Sequence, residues 1–199
     1  METRTKTDRR VLRTKEAINR SFLEMFSEKE FDRITINDIA ERANVNRGTV
    51  YLHYMDKYDL LDQCMDDHLN KMVQSCTFTK FNQGNVNQIE EVEAIKSLFI
   101  YFEKNFLFFS SMLSNKTTSG FFERMLHTLS STISEKINMQ GINQGMDKDL
   151  IIHFTASAFA GIVEDWILNR MPHPPQFMAE QVWELFKRNN IEHHVNQEG

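Results

Sequence analysis

The sequence predicts an all-α protein, on three observations. All three prolines fall between positions 172 and 175, no segment sustains the period-2 alternation that marks strands, and apolar residues recur at helical spacing through most of the chain. About nine helices are expected: three in an N-terminal domain over 1–57, the rest in a larger domain over 58–199.

The first helix is predicted over about 9–27, with Ile18, Phe22, Met25 and Phe26 on one apolar face. The next begins after Thr35, because "TIND" sets Thr35 to cap an orphan amide and Asp38 to favour the positive end of the helix dipole. Ile36, Ile39, Ala40 and Ala43 then give it one buried stripe. Asn44 tolerates the left-handed angle that ends helices, and Asn46 can cap a third helix over about 46–53. Asp56 is the expected N-cap of a long fourth helix with Leu60, Leu61, Cys64 and Leu69 among its apolar positions. Residues 77–88 lack periodicity and read as a loop. Further helices are predicted over 89–114, with a break near Asn105, then 119–139, 147–170 and 175–189. "QGINQGMDKD" and "MPHPP" supply the breaks, and the tail beyond Asn190 is expected to fray.

Charge is unevenly placed. The whole chain carries a formal −5, yet residues 1–60 hold 12 Lys and Arg against 11 Asp and Glu, and the first twenty hold seven against three. Such asymmetry suggests a nucleic-acid-facing end on an acidic body. Two cysteines are too few for a disulfide framework, the charged N-terminus argues against a secretory signal, and no apolar run reads as the roughly 20 residues of a membrane span. A cytoplasmic protein is expected, without a membrane association.

Two short helices joined by a tight turn behind a supporting helix have the geometry of a helix-turn-helix. The second must enter the major groove, which demands small or polar residues outside and an apolar stripe behind. Val45 and Val50 can face inward, leaving Arg47, Gly48, Thr49, Tyr51 and His53 for the outer face. Gly48 allows close approach of the backbone to DNA, against a cost of about 1 kcal/mol for glycine within a helix.

The stretch "ITINDIAERANVNRGTVYLHYMDKYDLL" resembles the signature of the tetracycline-repressor (TetR) family of bacterial transcription regulators, and the resemblance spans residues 12–61. Asn44 stands for the usual glycine, Asn46 for serine and Tyr54 for phenylalanine, while Leu52 occupies a place where many members carry a polar or aromatic phosphate contact. The resemblance implies a DNA-binding domain over 1–57 and an effector-binding, dimerising domain over 58–199. By the same analogy Arg47 and Thr49 read base edges, and Thr35, Tyr51, His53 and Lys57 hold phosphates. Residues Arg4 to Arg13 form either an arm to the duplex or a solvated tail.

The predicted helix over 147–170 is apolar almost all round, as in buried or interfacial helices. With "PPQFMAEQVWELFKR" it resembles the last two helices of TetR-like proteins, which imply a homodimer. Phe159, Ile162, Trp166, Val182, Trp183 and Phe186 are the interface candidates, with completion of a monomer's core as the competing role. A two-fold dimer implies a palindromic double-stranded operator. The aromatic-rich region around 99–125 lies where the family encloses an effector, so Phe99, Phe102, Glu103, Phe106, Phe122 and Met125 are the pocket candidates for an apolar small molecule. Plain core is the alternative for them.

Cys64, Asp67 and His68 have the types and spacing of half a zinc site, but no CxxC or HxxxH completes one. No metal or cofactor is therefore expected. The chain lacks a phosphate-cradling glycine loop, a paired-histidine metal helix and a nucleophile motif, so it does not read as an enzyme. The reading is of a ligand-responsive repressor. An activator, a regulator answering to a protein partner or a metal, and a helical protein-binding adaptor are the alternatives.

Overall fold

In the computed structural model the described residues are 2–75, 88–115, 118, 120–135, 137, 139, 140 and 143–188, and among them the regular elements are all helical. The order is α1 (Glu2–Glu28), a 3-10 turn (Phe31–Arg33), α2 (Ile36–Arg42), α3 (Arg47–Tyr51), α4 (Lys57–Ser75), α5 (Gln88–Lys104), α6 (Phe106–Ser114), α7 (Phe121–Ser134), α8 (Lys148–Leu168) and α9 (Pro175–Arg188). The predicted loop over 77–88 lies almost wholly outside the described residues, as does the tail after Arg188.

The chain divides into two compact units, Met1–His68 and Leu69–Gly199. The division falls inside α4, later than the expected boundary at 57, because the start of α4 is tied into the first unit. Tyr58 meets the Phe31 ring at 5.1 Å, and Gln63 donates to the His53 carbonyl.

In the first unit the predicted face of α1 is buried: Ile18, Phe22, Met25 and Phe26 are core. The Phe22, Phe26 and Phe31 rings pack with centroids 5.7 to 6.2 Å apart. The helix begins at Glu2 rather than near Arg9, since no glycine or proline interrupts the charged leading residues. Ile39, Ala40 and Val50 close the core from α2 and α3. Tyr54 is buried beside them, and its hydroxyl donates to Asn19 Oδ1 at 2.9 Å. Burial holds that phenol above its ordinary pKa, so it remains a donor. Tyr54→Phe is expected to cost about 1 kcal/mol by removing this bond and leaving Asn19 short of a donor. Urea unfolding of the two proteins measures it.

In the second unit α5 and α6 are one apolar run broken at Asn105, whose side-chain amide donates to the Tyr101 carbonyl at 2.7 Å and so competes with the helix ladder. Asp147 caps α8 by accepting from the Leu150 amide. α8 ends in two consecutive left-handed residues, Arg170 (φ 60°) and Met171 (φ 54°). The Met171 amide closes on the Trp166 carbonyl at 2.7 Å, and the Trp166 indole donates to the His173 carbonyl at 2.9 Å. Pro172 then prevents continuation, and Pro175 opens α9 at the first helical position, where its missing N–H costs nothing. α8 packs on α6 and α7, and α9 on α5. Contrary to the sequence expectation, α8 is long and apolar enough to cross a membrane by length and composition. Half of that stretch is buried inside the unit, as befits a core helix.

Candidate nucleic-acid interface

α2 and α3 are placed by their caps. The Thr35 hydroxyl accepts from the Asp38 amide at 3.2 Å, and the Asp38 carboxylate accepts from the Thr35 amide at 3.1 Å, a reciprocal capping box. Lys29 bonds the same carboxylate at 3.0 Å and, with the Thr35 amide next, holds it below the usual carboxylate pKa. A depressed carboxylate stabilises above its ordinary range, so this contribution is lost only as pH falls through the lowered value.

Between the helices Asn44 takes φ 53°, and the Val45 amide returns to the Ala40 carbonyl at 2.9 Å, the left-handed terminator that the asparagine predicts. Asn46 Oδ1 then accepts from the Gly48 amide at 2.8 Å to start α3. A Cβ on Gly48 would meet that oxygen at 3.3 Å. Glycine here thus spares the cap as well as leaving the helix surface bare.

Val50 is fully buried, which turns the rest of α3 outward. Arg47, Gly48 and Tyr51 are exposed, and Thr49 and His53 half-buried. The Arg47 guanidinium lies 5.2 Å over the Tyr51 ring and donates to its hydroxyl at 3.1 Å, one turn along the helix. His53 stands edge-on to Tyr54 at 6.3 Å. Thr35 is exposed at the start of α2. Lys57 is drawn inward instead: its ammonium donates to the Phe31 and Asp32 carbonyls at 3.0 and 3.1 Å. Met55 and Tyr58 are exposed with Leu52 and Tyr51 around the turn from α3 to α4. The side chains of Arg4 and Lys6 lie outside those described; Arg9, Arg10 and Arg13 are exposed along α1.

The pocket candidates are dispersed. Phe99, Phe102 and Met125 are fully buried in a dense aromatic core, where Phe102 meets Phe109 at 4.8 Å and Phe99 meets Trp166 at 5.1 Å. Phe106 and Glu103 are exposed, and Phe122 half-buried. One α8 turn before Phe159, the Thr155 hydroxyl is buried with no partner among the described residues. An open cleft of about 430 Å³ lies elsewhere in the unit, between α5 and α9, lined by Val92, Glu93, Glu180, Trp183 and Glu184 among others. Of the interface candidates, Phe159, Trp166, Val182 and Trp183 are buried within the protomer, while Ile162 and Phe186 are half-buried. The exposed large residues of these helices are Leu150, Phe154, Leu168 and Phe177, among others. Cys64 is fully buried, and among the described residues no group of three or more His, Cys, Asp or Glu is placed to hold a metal ion.

A capped two-helix unit with an arginine-bearing, glycine-bared outer face on an all-helical body defines a helix-turn-helix transcription regulator. The comparisons agree. Residues 23–64 match the family of bacterial regulatory proteins of the tetR type, and residues 90–188 match a transcriptional-regulator C-terminal region. The chain belongs to the TetR family of transcriptional regulators. It is 26% identical over 181 residues to the uncharacterized HTH-type transcriptional regulator YxbF of Bacillus subtilis (strain 168), covering 87% of this chain but only 44% of that protein. With the probable acrEF/envCD operon repressor of Escherichia coli (strain K12) it shares 24% over 186 residues, covering 85% and 82%. The crystal structure of the transcriptional regulator FadR from Bacillus subtilis, in complex with stearoyl-CoA, superposes with a TM-score of 0.66 at 17% identity, covering 90% of this chain and 99% of that one.

Proposed function

We propose that the protein is a cytoplasmic repressor that binds a palindromic operator as a homodimer and is released by a small apolar effector. The observation that carries the DNA-binding part is the sidedness of α3, with Val50 in the core and Arg47, Gly48 and Tyr51 in the open. Arg47 and Thr49 read bases; Thr35, Tyr51 and His53 hold the backbone.

Footprinting on DNA upstream of its own and neighbouring genes, with a salt titration, tests the reading. Log K should fall linearly with log salt, by about 0.9 for each phosphate neutralised. A helical adaptor would bind no DNA in this salt-dependent way, and that outcome would return the protein to the adaptor class.

Dimerisation is supported by the outer face of α8, where Leu150, Phe154 and Leu168 stand exposed around Gly161, with the half-buried Ser157 and Glu164 beside them. Exposed apolar residues gathered on one helix face mark an interaction surface. The effector is assigned, by the family resemblance, to the aromatic region between Phe99 and Met125, where Phe106 and Glu103 are exposed and Phe122 is half-buried. The buried Thr155 hydroxyl is an unclaimed polar group in the same unit, and a ligand hydrogen bond would satisfy it. Release requires about 5.5 kcal/mol of differential affinity to turn a 99:1 population into 1:99. An effector that binds both arrangements equally therefore leaves the operator occupied.

A further inference from the structure

We propose that Leu52 determines operator specificity by packing against the 5-methyl group of a thymine in the major groove. The proposal rests on the DNA-binding reading above and deepens it by naming a base that the recognition face takes.

Leu52 closes α3. Its amide donates to the Gly48 carbonyl at 3.1 Å, and its own angles remain helical, φ −70° and ψ −19°. Gly48 and Leu52 each stand two positions from the fully buried Val50, which on a helix of 3.6 residues per turn is about 200° around the axis. They therefore mark the midline of the outward face. Arg47 and Tyr51 pair along one flank, at 3.1 Å, and the half-buried Thr49 and His53 lie along the other. Gly48 carries no side chain, so Leu52 is the large group on that midline, and it is 81% exposed. Met55, 80% exposed in the turn that follows, extends the apolar surface past it.

An isobutyl group neither donates nor accepts a hydrogen bond, so Leu52 has no means of holding a phosphate oxygen. Docked against a polar base edge, it would shut water away from a donor or acceptor and leave that group unpaired, which costs free energy. The major groove offers one apolar group on its base edges, the 5-methyl of thymine. Against that methyl both partners leave water, and neither strands a polar atom. Gly48, one turn earlier, has no Cβ to hold the helix off, which lets a side chain as short as leucine reach a base edge.

Deoxyuridine in place of each thymine of the footprinted operator, one position at a time, tests the proposal with the full chain. Uracil keeps the O4 acceptor and the pairing with adenine, and lacks only the methyl. One thymine in each half-site should show the loss, about fourfold for one half-site and about 15-fold for both, the scale of burying one methyl group. Leu52→Ala should bind the thymine operator more weakly than wild type, and bind thymine and uracil operators equally. Because both proteins meet the same two duplexes, any effect of uracil on the duplex itself cancels. The slope of log K against log salt should be the same in both proteins, since no charge is lost.

A uracil penalty that persists in Leu52→Ala would give the methyl to another residue and overturn the proposal. Thr49→Ser, which removes the Thr49 methyl, identifies that rival if the penalty vanishes there instead. A scan in which no thymine methyl matters would overturn the proposal as well. So would a Leu52→Ala loss equal on cognate and random duplex, which is a grip on the sugar edge and not base reading. Leu52 projects into solvent, so its truncation removes no core packing, and circular dichroism confirms the fold. If wild type shows no salt-dependent affinity for any upstream duplex, the DNA-binding reading fails and this proposal with it. Salt-dependent binding without a Leu52-dependent thymine overturns this proposal alone.

Discussion

Phe154→Glu is expected to yield a monomer whose operator affinity is lower by about 10²- to 10⁴-fold, the advantage that linking two binding modules ordinarily confers. The expectation follows from which residues of α8 look outward. Leu150, Phe154, Gly161 and Leu168 are separated by four, seven and seven positions, which sets them on one face of a 3.6-residue helix. Leu150 is 64% exposed and Phe154 54%, although both are large and apolar. Between them and Leu168, a Cβ on Gly161 would find nothing within 4 Å. A flat central glycine between projecting apolar side chains suits a symmetric seam, in which the same patch serves both copies.

A carboxylate at 154 would be buried without a partner in that seam, yet harmless on an exposed face. Gly161→Leu separates the two cases from the opposite direction. Inside one protomer its side chain enters open space, whereas across a two-fold seam it holds the helices apart. Sedimentation equilibrium at micromolar concentration, with circular dichroism to confirm helix content, reads both variants. If both remain dimeric, the seam lies elsewhere.

The same helix shows where the sequence stops being informative. Caps and turns are local chemistry, and Thr35, Asn44, Asn46 and Asp56 occupy the places their side chains dictate. Asp56, for one, accepts from the amides of Tyr58 and Asp59 at 2.8 and 2.9 Å. The face of α1 is legible because polar residues mark its other side. On α8 nearly every position is apolar or small, so periodicity cannot separate core from surface. The large aromatics Phe159 and Trp166 drew the interface assignment, but they turn inward to Phe99, at 5.9 and 5.1 Å.

Lys57 is illegible for another reason. Its partners are carbonyls 26 and 25 residues earlier, and a main-chain acceptor leaves no mark in a sequence. Gly48 was legible as a bared helix surface, while its spacing from the Asn46 cap required coordinates. Among Phe99, Phe102 and Met125, aromatic spacing alone does not distinguish a lined pocket from close-packed rings.

Arg47→Ala is expected to weaken binding to the cognate operator by about 1–3 kcal/mol in each half-site, with little change on random duplex. In a symmetric dimer the loss is incurred twice. A guanidinium reads guanine through two parallel hydrogen bonds, and holding that planar fork in place beforehand lowers the entropy cost of making them. Tyr51 provides such a hold, its ring 5.2 Å beneath the guanidinium and its hydroxyl accepting from Nη2 at 3.1 Å. Tyr51→Phe keeps the ring and removes the acceptor. If Tyr51 acts through Arg47, the phenylalanine variant loses discrimination at the base pair Arg47 reads, and adding it to Arg47→Ala costs little more. If Tyr51 instead holds a phosphate by itself, the two losses add, because independent contacts have no interaction energy in a double-mutant cycle. Competition of cognate against random duplex, run on the four proteins of the cycle, separates these outcomes. An Arg47→Ala loss equal on both duplexes would take base reading away from α3 and leave it only a backbone grip.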